Sequence, residues 1–121
     1  MTLRSAHADF AWFVVGANAL VGVWALAAHW VEQLRHRALW WCTVVAEASI
    51  FVQVAMGVAI VAREDIEAPR LHTFYGFIAL ITVGVIYSYR QQLAARRYLL
   101  YGLGGLFLMG LGIRAMVLRG R

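Results

Sequence analysis

The sequence predicts an all-α fold, a four-helix transmembrane bundle running up-down-up-down, with no soluble domain. Three observations predict it. Hydrophobic residues make up 63% of the 121 positions and charged residues only 14%, against about 45–50% and about 25% in soluble domains. The apolar residues fall into four stretches, at 10–30, 39–62, 71–89 and 98–118, each close to the ~20 residues that a helix needs to cross a hydrocarbon core. None of the stretches alternates strictly between apolar and polar, so the strands of a membrane barrel are not indicated.

The first stretch follows Arg4 and contains Ala25-Leu26-Ala27, which has the look of a leader cleavage site. Its length and its Trp12, Asn18 and Trp24 favour a retained membrane span instead. The connections at 31–38, 63–70 and 90–97 are short, which forces neighbouring helices to run antiparallel. Pro69, the sole proline, stands just before the third span, where it keeps the second helix from running on. The four spans take up most of the chain and form one domain, 1–121.

Aromatic residues mark one membrane face. Trp30, Trp40 and Trp41 flank the first connection, and Tyr87, Tyr89, Tyr98 and Tyr101 flank the third. Such belts sit at headgroup level. Arginines are divided almost evenly. Arg35, Arg37, Arg90, Arg96 and Arg97 lie on the aromatic side, facing Arg4, Arg63, Arg70, Arg114, Arg119 and Arg121 on the other. Glu64, Asp65 and Glu67 make the second connection the weaker cytoplasmic candidate, so the balance leans toward both termini outside.

All eleven basic residues are arginine, and the net charge is +5. In a soluble chain that would suggest nucleic acid. Here the arginines sit between apolar stretches, no basic helix face forms, and nucleic-acid binding is excluded. Arginine without lysine matches the usage of GC-rich bacterial genomes, so the expected location is a bacterial cytoplasmic membrane, crossed several times. Cys42 is alone, which rules out an intrachain disulfide and a thiolate metal site. No other metal site is expected, since no Asp, Glu and His cluster has ligand spacing.

Polar side chains within hydrocarbon are costly and call for a partner or a purpose. Measured from the aromatic side, Glu47 lies at roughly 12 Å, Asn18 at roughly 16 Å and Thr82 at roughly 10 Å. The three are expected to form one buried layer. Glu47 then serves either as a proton-carrying carboxyl or as a structural carboxyl hydrogen-bonded to Asn18. A second group lies deeper, with Gln53 and Tyr75 near 21 Å, Arg114 near 24 Å and His72 near 25 Å. It reads either as a contact for a headgroup, haem propionate or quinone, or as an interfacial network with Arg114 reaching to phosphate. Among the four histidines, His7 and His72 are the pair matched by depth for haem b, although His7 is expected to precede the helix proper. His29 with His36 is a second pair, with His36 in a loop.

Small residues recur at helical spacing. Ala11, Asn18, Gly22 and Ala25 do so in the first span, and Gly105 and Gly112 with Met109 and Met116 in the fourth. Such faces permit close helix contact in lipid. The expected partner is another helix of this chain, another membrane subunit or a second copy.

Gln53-Val54-Ala55-Met56-Gly57, followed after a short loop by His72-Thr73-Phe74-Tyr75-Gly76, resembles one half of the haem A synthase family and, more loosely, small b-type cytochromes. The resemblance covers the second and third spans and implies that His72 is a haem ligand. The family's second histidine in each half, its glutamate-bearing loop and its second half have no clear counterpart here, so no enzymatic activity is expected. Small multidrug transporters are also four-helix chains with one membrane glutamate, but theirs lies in the first helix and Glu47 lies in the second span.

The leading expectation is a small accessory subunit of a bacterial membrane complex, respiratory or otherwise energy-converting, needing no cofactor of its own and contacting lipid and other subunits. One alternative is a haem- or quinone-binding electron carrier using His72 and His7. Another is a small proton-coupled transporter using Glu47.

Overall fold

A computed structural model describes residues 2–118. Arg119 and Arg121, which entered the charge balance above, lie outside the described residues. Those residues form four α-helices and no strand: α1 (Leu3–Trp30), α2 (Arg37–Glu64), α3 (Arg70–Ser88) and α4 (Arg97–Leu118). Each is long and apolar enough to cross a membrane.

The helix ends follow from capping chemistry. Thr2 caps α1: its hydroxyl accepts from the Ser5 amide, and the Ser5 hydroxyl in turn accepts from the Thr2 amide, each at 3.0 Å. This capping box satisfies amides that the first helical turn leaves open. The helix therefore starts at Leu3, a full two turns before the apolar stretch, and His7 lies inside it. The expectation that His7 precedes the helix is corrected on this ground. His36 caps α2, its Nδ1 accepting from the Ala38 amide at 3.0 Å. That use removes His36 from any pairing with His29, whose ring instead packs edge-on against Trp30. Asp65 ends α2 in the left-handed region, at φ 51°, a conformation that aspartate tolerates better than most residues. Pro69 sits at the N-cap of α3.

The helices alternate in direction. α1 is the central element, packed on α4 and on α2, and α3 packs mainly on α4. The seam between α2 and α3 is the sparsest. The α1–α4 seam is closest because glycine lines both sides of it. A Cβ added at Gly105 would come within 2.8 Å of Gly22 Cα, and one at Gly102 within 2.7 Å of the Leu26 backbone. The close partner expected for the small faces is thus within the chain: on α4 it uses Gly102 and Gly105, and Gly112 continues it, where an added Cβ would come within 3.0 Å of the Val15 side chain. Val14, Ile50, Val83 and Leu108 bring all four helices into one apolar cluster, and Val21, Ala25, Leu39 and Tyr98 form a second nearer the aromatic end.

The aromatic end is stitched by its own loops. Trp24 Nε1 donates to the Leu34 carbonyl at 2.8 Å. Arg35 donates to the carbonyls of Ala28 and His29, at 2.7 and 2.9 Å, covering the last turn of α1. The same guanidinium lies over the Tyr98 ring, 4.8 Å from its centre, and Trp40 packs at a tilt against Tyr98 and edge-on against Tyr101.

Candidate functional site

At the opposite end, side chains from three helices converge on the backbone of the other elements. His7 rises from the second turn of α1. Gln53 and Gly57 lie one turn apart on α2 and so share a face. His72 lies in the first turn of α3, and the end of α4 supplies the Ala115 carbonyl. The Gln53 amide donates to the His7 carbonyl at 2.7 Å. The His72 Nδ1–H donates to the Ala115 carbonyl, also at 2.7 Å. The two imidazoles stand at 80° to each other with ring centres 6.0 Å apart.

One glycine makes room for this pair. A Cβ on Gly57 would come within 3.3 Å of the His7 ring, closer than side chains usually pack. Gly76 follows His72 by one turn but takes no part in this, since a Cβ there would meet nothing within 4 Å. The sparse α2–α3 seam opens beside them.

The arrangement has a definite ligand chemistry. The bond from His72 Nδ1 to a carbonyl fixes the ring and its tautomer, leaving Nε2 to face a ligand. An imidazole nitrogen lies about 1.1 Å from its ring centre, and bonds from nitrogen to metal run about 2.0–2.1 Å. Two imidazoles on opposite sides of one ion therefore bring their ring centres to about 6.3 Å. The observed 6.0 Å is close to that value. Among the described residues no three His, Cys, Asp or Glu side chains come together, so the pair offers two protein ligands. A bare zinc site asks for three or four. Haem iron asks for two axial ligands, because the porphyrin supplies the other nitrogens. Two histidines at this spacing are a donor set that could hold a b-type haem.

The other polar residues are placed differently from one another. Tyr75 is half-buried at the edge of the apolar core and packs edge-on against Phe74. Arg114 is exposed near the end of α4. The layer expected from Glu47, Asn18 and Thr82 does not assemble. Asn18 is 1% exposed, and its amide donates to the carbonyls of Val14 and Ala46, at 2.9 and 3.3 Å. The α2 backbone is its partner, and the Glu47 carboxyl, one residue and about 100° further round the helix, is not. Thr82 donates to the Ile78 carbonyl of its own helix at 2.8 Å. The half-buried Glu47 carboxyl forms no hydrogen bond or ion pair among the described residues.

Sequence reasoning missed the Ala115 carbonyl, which carries no sequence signal, and the role of Gly57 beside His7. The i, i+4 spacing of Gln53 and Gly57 was the available sign of the latter. Comparison of the chain with protein-family models, with curated proteins and with solved structures gives no match.

Proposed function

We propose that the protein is a small membrane electron carrier in which His7 and His72 would hold a b-type haem. The observation that carries this reading is the meeting of two histidines, remote in sequence and on different helices, at ligand spacing. The hydrogen bond that orients His72 and the glycine beneath the His7 ring support it. So does the likeness of the Gln53/Gly57 and His72/Gly76 pattern to haem A synthase.

When bound, the haem would supply one-electron transfer. The chain's own residues do the rest. Gln53 ties the α1 backbone at His7 to α2, the Ala115 carbonyl holds the His72 ring, and the apolar helices exclude water. With no room for a soluble redox domain among the described residues, donor and acceptor would be other membrane components. This keeps the reading of a subunit in a respiratory or energy-converting assembly of a bacterial cytoplasmic membrane, with a haem added to it.

A second reading rests on Glu47. A half-buried carboxyl without a partner, midway along α2, suits a proton-coupled transporter. Loss of coupled uptake in Glu47→Gln, with the haem content unchanged, would favour it.

The carrier reading is tested by titrating ferric haem into the purified protein in detergent. The expected result is a saturable Soret band at one haem per chain, absent in His72→Ala and in His7→Ala. A quinone in the same place gives no Soret band, so a featureless titration would contradict the proposal.

A further inference from the structure

We propose that the groove between α3 and α4 seats one acyl chain of an anionic phospholipid, whose phosphate rests on Arg96. The groove has a volume of about 590 Å³, and Arg96 stands at its mouth. Its walls are apolar, with Ile81 and Val85 from α3 facing Leu99, Leu103 and Phe107 from α4. The hydroxyl of Thr82, which also lines it, is already spent on the Ile78 carbonyl. Below the arginine the groove thus offers only hydrocarbon contact.

Length and charge both point to this occupant. From Arg96 to Phe107 a helix rises roughly 16 Å, about half of a hydrocarbon core of roughly 30 Å. That is the reach of a chain from one leaflet. No Asp or Glu occurs anywhere after Glu67, so α3, its loop to α4 and α4 itself carry only positive charge. On the same end of the bundle Glu32 is the sole acid, and it pairs with Arg35 at 4.0 Å.

The three arginines of the loop differ in what they touch. Arg90 lies 3.6 Å from the centre of the Tyr87 ring and donates to the Tyr87 carbonyl. Arg97 lies over Tyr98 and Trp40, at 5.2 and 5.9 Å. Arg96 is exposed and has no ring or carboxylate against it among the described residues. A guanidinium at headgroup level above a chain-length groove matches a phosphodiester with its acyl chain below, since the planar fork suits phosphate oxygens.

The test is native mass spectrometry of the full chain from mild detergent, offered equal amounts of phosphatidylglycerol and phosphatidylcholine. One retained phosphatidylglycerol is expected, preferred about five-fold, the effect of one cationic contact at a membrane surface. Arg96→Gln should remove the preference. Leu103→Trp, which fills the groove, should lower retention of both lipids, and Arg37→Gln, on the same side but on α2, should change neither. Circular dichroism of each variant checks that the helices persist. Equal retention of the two lipids by the unaltered chain would overturn the proposal. So would a preference that survives Arg96→Gln, retention indifferent to Leu103→Trp, or a dimer that buries the groove and holds no lipid.

Discussion

The two ends of the bundle use their polar groups in opposite ways. At the aromatic end, arginines and a tryptophan bond mostly to carbonyls of their own loop or of the adjoining helix end, as Arg35 does to Ala28 and His29 and Trp24 to Leu34. Those bonds close helix termini and fix short loops, and the α1–α4 glycine contact locks the helices beneath them. At the other end, Gln53 and His72 reach across to a different helix, and two imidazoles meet edge-on. One end holds the shape, and the other spends its side chains on a converging polar site. Structural need explains the first pattern completely. It does not explain why two histidines should be brought to ligand spacing in the second.

Substitutions at the two ends should therefore differ in kind. The largest effect is expected from Gly102→Val, which drives a side chain into the Leu26 backbone. Overpacking of this sort costs about 3 kcal/mol, read as an earlier midpoint in detergent unfolding, and should lower haem retention only through loss of the fold. Next comes Gly57→Leu, which crowds the His7 ring. We expect it to weaken haem retention about ten-fold, or about 1.4 kcal/mol, with helix content unchanged by circular dichroism. If Gly57→Leu instead lowered stability as much as Gly102→Val, the contrast between the ends would fail.

Asn18→Val probes the middle. It removes the bond from α1 to the Ala46 carbonyl, and interhelical hydrogen bonds in membranes contribute about 1 kcal/mol, so a modest fall in the unfolding midpoint is expected. Arg4→Gln should have the smallest effect. Its ion pair with Glu64 spans 4.0 Å between side chains that are 66% and 38% exposed. Exposed pairs contribute less than about 1 kcal/mol, and added salt should already erase what this one provides.

The sequence made the four helices legible because hydropathy and helix length are set by the same bilayer thickness. Three of the four helices begin and end within about two residues of the apolar stretches. The fourth boundary failed at the start of α1, where Arg4, Ser5, His7 and Asp9 lower the hydropathy while Thr2 and Ser5 still cap a helix. Hydropathy reports where lipid is, whereas caps decide where a helix starts. The same limit governed the site. Depth along a span placed His7 level with His72 and close to Gln53, and the structure brings those residues together. Depth also placed Glu47 level with Asn18 and Thr82, and there it misled, because height says nothing of direction around the helix. Asn18 meets the α2 backbone, and the Glu47 side chain points about 100° away from that contact.

The central claim is that both histidines bind one iron. Electron paramagnetic resonance of the haem-loaded ferric protein tests it most directly. The account expects a low-spin bis-imidazole signal that becomes high-spin or disappears in both His7→Ala and His72→Ala, while Arg114→Gln leaves it unchanged. A signal indifferent to either histidine, or a haem-loaded sample that is high-spin from the outset, would contradict it.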